Sequence, residues 1–78
     1  MEYNILGILV KETTAAGEKL QRLFSDYGCI IRTRIGLNRD EIEGRIIIID
    51  LHGDQTQINS LLENLNKIEG IEYKYMTL

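Results

Sequence analysis

Four consecutive isoleucines, Ile46 to Ile49, constrain the fold of this 78-residue chain more than any other feature. A β-strand directs alternate side chains to opposite faces, so Ile46 and Ile48 point away from Ile47 and Ile49. A single covering layer of protein hides only one of these pairs. The segment therefore predicts a strand with two apolar faces, each of which needs a cover.

Length and charge narrow the class of protein. In a chain this short one core supplies only about 3–5 kcal/mol, so we expect residues 1–78 to form one domain with an additional source of stability, such as a metal or a partner. One cysteine excludes an internal disulfide, and the apolar runs fall short of the roughly 20 residues that span a bilayer, which favours a cytoplasmic protein without membrane contact. The net charge of −3 disfavours direct binding of nucleic acid.

Hydrophobic periodicity predicts the order strand, helix, strand, strand, helix, strand. The first helix carries one apolar stripe, formed by Ala16, Leu20, Leu23, Phe24 and Tyr27. The second helix starts at a capping box of Asp54 and Gln57 and precedes Gly70, which we expect in a left-handed conformation. Its apolar stripe consists of Ile58, Leu61, Leu62, Leu65 and Ile68. Right-handed crossovers in both halves give an α+β, ferredoxin-like βαββαβ sandwich, a four-stranded antiparallel sheet with two helices on one face.

The strand patterns assign positions in this sheet. The second and fourth strands alternate as edge strands do, whereas the first and third are apolar on both sides, a pattern typical of parallel central strands. In the second strand Ile31, Thr33 and Ile35 share one face, and Arg32 and Arg34 share the other. We expect the helices to cover the odd-numbered face of the central strands, namely Ile5, Gly7, Leu9, Ile47, Ile49 and Leu51.

The opposite, even-numbered face then has no cover within the chain. Exposed apolar patches with a charged rim usually mark interfaces, so we expect a homo-oligomer, a dimer or a tetramer, to form here. The predicted interface residues are Leu6, Ile8, Val10, Ile30, Ile46 and Ile48. Within the predicted hairpin of the second and third strands, matching the faces places Arg32 opposite Asp50 and Arg34 opposite Ile48.

The sequence shows no motif for catalysis, a resident cofactor or a metal. No nucleophile and base stand in a recognisable pattern, so we do not predict an enzyme. Cys29 and His52 differ in parity, so one domain does not direct both to the same ion. A metal shared between subunits through either residue stays open.

Two loops offer candidate ligand-binding residues. Thr13, Thr14 and Arg39, together with backbone N–H groups, are suited to a small anion or an amino acid. The alternative is that Thr13 or Thr14 caps the first helix.

The chain resembles a known family over most of its length. The resemblance rests on Arg34-Ile35-Gly36-Leu37, on Gly44 before the isoleucine-rich strand, and on Asp50-Leu51-His52-Gly53-Asp54 and Gly70-Ile71-Glu72-Tyr73-Lys74. These segments resemble the iron-only hydrogenase system regulators, which are ACT-like proteins similar to the C-terminal domain of nickel-responsive repressors. The resemblance adds Arg34 and Gly36 to the candidate ligand-binding residues. The Asp-x-Pro-Gly turn common in ACT domains and the histidine ligands of the nickel repressors are absent from this sequence.

The resemblance implies a regulatory ACT-like oligomerisation module of an iron-only hydrogenase system that senses a small-molecule effector. Two alternatives stay open at this point. One is a structural or assembly protein that acts on a protein partner without a ligand, and the other is a metal sensor at a subunit interface.

Overall fold

The computed structural model describes residues 3–11, 14–37 and 44–78. Its elements follow the order predicted from the sequence: β1 (Asn4–Val10), α1 (Thr14–Asp26), β2 (Ile31–Leu37), β3 (Arg45–Leu51), α2 (Gln55–Leu65) and β4 (Ile71–Thr77). Neither helix of the described ranges is long and apolar enough to cross a membrane.

The four strands form one sheet in the order β2-β3-β1-β4, and each neighbouring pair is antiparallel. The predicted ferredoxin-like arrangement is confirmed, with β1 and β3 in the centre and β2 and β4 at the edges. Because β1 and β3 run antiparallel, the apolar pattern on both of their sides does not reflect parallel pairing. It reflects a central position in a sheet whose second face also carries apolar residues.

The hydrophobic core lies between one face of the sheet and the two helices. Directly paired residues of antiparallel strands share a face, and here Leu6 pairs with Ile49 and Ile8 pairs with Ile47. All four side chains are buried. The helices contribute the buried residues Ala16, Leu20, Leu23, Phe24, Ile58, Leu61 and Leu65, which belong to the two predicted stripes.

The face predicted for β1 is wrong. The pairing of even-numbered residues of β1 with odd-numbered residues of β3 turns Leu6, Ile8 and Val10 towards the helices and leaves Ile5, Gly7 and Leu9 on the other side. Four of the six predicted interface residues are therefore core residues, with exposed fractions of 3% or less: Leu6, Ile8, Val10 and Ile30. Ile46 and Ile48 lie on the uncovered side, as expected.

An irregularity in β2 overturns the predicted hairpin register. Ile31 pairs with Leu51, but the register shifts before Thr33, which pairs with Asp50. A bulge places an extra residue in one strand and changes which side chains share a face. Ile31 therefore lies on the helix side while Thr33 and Ile35 lie on the uncovered side, and it is Thr33, not Arg32, that stands opposite Asp50.

The start of α2 is the predicted capping box. Asp54 Oδ1 accepts a hydrogen bond from the Gln57 backbone N–H at 2.8 Å, and the Gln57 side chain accepts one from the Asp54 N–H at 3.3 Å. These contacts satisfy two backbone donors that a helix leaves unpaired at its first turn. Gly70 has the expected positive φ of 86°, although α2 already ends at Leu65 and its C-cap, Asn66, is in a right-handed conformation.

Gly44 fixes the entry into β3. Its φ of 107° lies in the left-handed region, and a Cβ there would overlap the carbonyl oxygen of Val10. Only glycine combines this backbone conformation with so close an approach. The sequence resemblance includes this residue, and the structure supplies the physical reason for it.

Candidate functional site

The uncovered side of the sheet, called the open face here, carries three cross-strand rows of residues. Listed from β2 to β4, the rows are Thr33, Asp50, Ile5 and Met76; Ile35, Ile48, Gly7 and Lys74; and Leu37, Ile46, Leu9 and Glu72. Strands about 4.8 Å apart with a rise of about 3.4 Å per residue give this face sides of roughly 19 and 20 Å.

Apolar side chains dominate the open face. Met76 is 52% exposed, Ile35 50% and Leu37 36%, and the central isoleucines are only partly covered by their neighbours. The charged residues of this face stand towards its margins, and Glu72 forms an ion pair with Lys11 at 3.1 Å. An apolar patch with a charged margin is the composition of a protein interaction surface.

Gly7 leaves a depression near the middle of the open face. A Cβ at this position would lie 3.7 Å from Cδ1 of Ile48, an ordinary contact, so the glycine is not forced by crowding. The depression is part of a cavity of about 730 Å³ over β1 and β4, which Leu9, Ile46 and Lys74 line on the open face and whose lining continues to Tyr73 and Asn66 on the helix side. The sequence interpretation assigned Gly7 to close helix packing, which is wrong because the helices lie on the opposite face.

Arg34 lies on the helix side of β2, since it pairs with the core residue Ile49. Its Cζ stands 4.8 Å from the centroid of the Phe24 ring, and its Nη1 donates a hydrogen bond to Gln21 Oε1 at 3.3 Å. Gly36 follows on the same side, opposite Ile47. The structure thus places two of the predicted ligand-binding residues on the same side of β2, with Arg34 against α1.

The side chains of the other three predicted ligand-binding residues are not among those that the structure describes. Thr13 and Arg39 lie outside the described residues. Thr14 is the first residue of α1, and its side chain is likewise outside the description.

Arg45 is a residue of this region that the sequence interpretation did not identify as a site residue. It pairs with the core-facing Val10, so it lies on the helix side of the sheet. Its Nη2 stands 3.3 Å from the point where a Cβ of Gly17 would lie, which places the guanidinium against the backbone of α1. Only the register of β1 with β3 shows that Arg45 lies on the helix side, and sequence periodicity does not give that register.

Cys29 and His52 are both exposed near the start of β2 and the end of β3. The His52 backbone N–H donates to the carbonyl of Ile30 at 2.7 Å, which ties these two segments together. Among residues 3–11, 14–37 and 44–78, no three His, Cys, Asp or Glu side chains are grouped as a metal centre requires.

Partly buried polar residues join the helices and strands away from these surfaces. The Tyr27 hydroxyl lies 2.6 Å from Ser60 Oγ and accepts a hydrogen bond from Asn64 Nδ2 at 3.0 Å, which links the end of α1 to α2. The Tyr75 hydroxyl donates to Oδ1 of the buried Asn4 at 2.5 Å. Both sets are satisfied within the chain, which is the pattern of structural ties.

The family comparison decides the relationship that the sequence segments indicated. A family model described as "TM1266-like: Iron-only hydrogenase system regulator, putative" matches residues 2–75. The chain belongs to this family. A search of curated proteins finds no match.

Solved structures agree with this assignment. The uncharacterized protein TM1266 from Thermotoga maritima is 26% identical, with a TM-score of 0.89 over 100% of this chain and 99% of its own. The ACT domain from the GTP pyrophosphokinase of Chlorobium tepidum is 15% identical, with a TM-score of 0.66 over 100% and 97%. The nitrogen regulatory PII-like protein CPII from Thiomonas intermedia K12 is also 15% identical, with a TM-score of 0.68 over 100% and 90%. The last two similarities show the ACT-like, ferredoxin-like fold.

Proposed function

We propose that this protein is a regulatory module of an iron-only hydrogenase system that self-associates through its open face and responds to a small ligand. It acts by binding rather than by catalysis. Family membership supports the regulatory role and the hydrogenase system. The observation that carries the mode of action is the open face itself, an apolar surface in the middle of a sheet that the helices cover on one side only.

A second copy of the chain is the occupant that fits this face. Two sheets pack face to face with their strands within about 30° of each other, at a separation of about 10 Å. A two-fold axis parallel to the strands sets the central β3 of one copy over β1 of the other. Ile48 then faces the partner's Gly7, a large side chain over a residue without one, and Ile46 packs on the partner's Leu9.

Charge supports the same occupant. With this axis Lys74 and Glu72 of β4 stand over the β2 margin of the second copy, where Ile35 and Leu37 present no charge on the open face. The two copies of Lys74, and the two copies of Glu72, then stand at opposite margins of the interface. The alternative axis, perpendicular to the strands, opposes Lys74 to its own copy and is disfavoured.

Sedimentation velocity tests the proposal. The unmodified protein is expected to sediment as a dimer or larger at tens of micromolar, and Ile48→Asp is expected to sediment as a monomer because the interface would bury an unpaired carboxylate. The control is Thr56→Asp, which adds the same charge in the exposed first turn of α2, where a carboxylate is favourable.

Each outcome has a definite meaning. A monomeric unmodified protein contradicts the proposal. If Ile48→Asp retains the dimer mass, the copies associate through an edge strand, β2 or β4, and not through the open face. Circular dichroism of both variants confirms that a change in mass is not a loss of fold.

A further inference from the structure

The space between α1 and the edge strand β2 forms a second surface, called the α1–β2 groove here. Gln21, Ser25 and Gly28 lie along one side and Ile31 and Arg34 along the other. Gly36 continues the helix side of β2 beyond Arg34. One end holds a cavity of about 190 Å³, lined by Gln21, Phe24, Ser25, Gly28, Ile31 and Arg34. This groove is separate from the open face, because its strand residues pair with core-facing residues of β3.

Arg34 is oriented for a ligand before any ligand binds. Its guanidinium carbon lies over the Phe24 ring, and Nη1 donates a hydrogen bond to the Gln21 amide oxygen. A guanidinium has five N–H donors in a rigid planar arrangement, so several donors remain for an acceptor in the groove. Within residues 3–11, 14–37 and 44–78, no carboxylate forms an ion pair with Arg34.

Arg45 supplies a second cation at the opposite end of the groove. Its guanidinium lies against Gly17, one helical turn from Gln21, which holds Arg34. No ion pair to Arg45 occurs among the described residues either. Within the part of the chain that the structure describes, two guanidinium groups thus approach the same side of α1 and neither forms an ion pair with a carboxylate.

Gly36 leaves room between these two arginines. Gly36 lies two residues beyond Arg34 in β2. It pairs with Ile47, which lies two residues beyond Arg45 in β3. A Cβ at Gly36 would meet no heavy atom within 4 Å. Its φ is not positive, so backbone geometry does not require a glycine here. The missing side chain keeps the space between the guanidinium groups open.

We infer that the α1–β2 groove binds a small anion over Gly36, with Arg34 as the first contact and Arg45 as the second. The ligand class is a small molecule with a phosphate or carboxylate group, because arginine recognises both through paired, charge-assisted hydrogen bonds. This inference rests on the proposed function, since it assigns a chemical class and a place to the ligand of the regulatory module.

Amide chemical-shift titration of the full chain tests the inference. The probes are pyrophosphate and succinate at a constant ionic strength maintained with chloride. Saturable shifts centred on the Gly36 amide are expected with at least one probe, and the comparison of the two distinguishes phosphate from carboxylate ligands. Arg34→Gln is expected to weaken binding by about tenfold or more, and Arg45→Gln by a smaller factor.

Two further variants separate a specific site from general attraction. Gly36→Leu places an uncharged side chain in this space, where a Cβ meets no heavy atom within 4 Å, and it is expected to abolish binding. Arg22→Gln removes an exposed positive charge of α1 outside the groove, and it is expected to bind as the unmodified protein does.

Equal weakening by Arg22→Gln, or unchanged binding in Gly36→Leu, overturns the inference. So does an unmodified protein whose Gly36 amide does not shift. If that protein still sediments as a dimer, the inference fails while the proposed self-association stands. If anions bind specifically to a protein that sediments as a monomer, the anion site stands and the proposed self-association fails.

Discussion

The two faces of the central strands have nearly the same composition but different environments. The covered face presents Leu6 and Ile8 of β1 beside Ile49 and Ile47 of β3, all with exposed fractions of 6% or less. The open face presents Ile5 and Leu9 beside Ile48 and Ile46, which remain partly accessible. Side-chain type alone therefore does not determine which face the helices cover. The strand register determines which residues of β1 and β3 share the covered face.

The two faces of the sheet differ more clearly in their polar residues than in their apolar ones. The covered face has one buried polar residue among those described, Asn4, and it is satisfied by the hydroxyls of Tyr75 and Thr77. The open face carries Asp50, Lys74 and Glu72 towards its margins. Buried polar groups need partners inside the protein, whereas charges at a margin remain hydrated and direct association.

Truncation of neighbouring isoleucines in β3 gives the largest expected effect. Ile49→Ala empties a fully buried site and is expected to lower the free energy of unfolding by about 2–5 kcal/mol. Ile48→Ala on the open face is expected to cost less, and its cost should rise with protein concentration because the second copy supplies part of its cover. Urea unfolding at several concentrations measures both.

Equal, concentration-independent losses for the two truncations would contradict the distinction between the faces. Ile47→Ala is the matched control, since it lies on the covered face next to Ile48 and should behave as Ile49→Ala does.

The element order and the helix stripes were predictable because each depends on local sequence. The stripes through Leu20 and Leu61, and the capping box at Asp54, follow from spacing within one turn or two. For β4, the face of Tyr73 and Tyr75 can also be derived from the sequence, because Glu72 and Lys74 mark the opposite side. When one face of a strand is polar, the alternation alone indicates which face is turned towards the core.

The face of β1 was not predictable in this way. Both of its sides are apolar, so the alternation carries no orientation, and a change of one residue in register exchanges the two sides. The bulge before Thr33 is likewise invisible in the alternation of β2. At the candidate anion site, Arg34 and Gly36 were predicted from the sequence. Arg45 was not, because its position on the helix side follows from the pairing of β3 with β1.

Removal of the Tyr75 hydroxyl tests the polar tie of the covered face. Tyr75→Phe leaves the buried Asn4 without its closest donor, and we expect a loss of about 1–3 kcal/mol in the free energy of unfolding. Tyr73→Phe is the matched control, since its hydroxyl donates to the exposed Asn66 at 3.3 Å. Chemical denaturation of the two variants should show a clearly larger loss for Tyr75→Phe, and similar losses would contradict the importance of the buried partner.

Gly7→Ala is expected to change folding and association in opposite directions. Alanine reduces the conformational freedom of the unfolded chain and meets only an ordinary contact with Ile48, so the monomer should gain about 0.5–1 kcal/mol. The same methyl group fills part of the depression that Ile48 of a second copy would occupy, so the dimer should dissociate more readily. Unfolding at low protein concentration and sedimentation at high concentration measure the two effects, and a tighter dimer would contradict the proposed seating of Ile48.

Glu72→Gln is expected to have the smallest effect, because the ion pair of Glu72 with Lys11 is exposed on both sides. Exposed pairs contribute about 0.2–1 kcal/mol, and salt screens them, so the loss should lie within this range at low salt and vanish near 1 M sodium chloride. Thermal unfolding at the two salt concentrations measures it. A loss that persists at high salt would show that Glu72 is desolvated, and the margin of the open face would then lie inside the interface rather than at its edge.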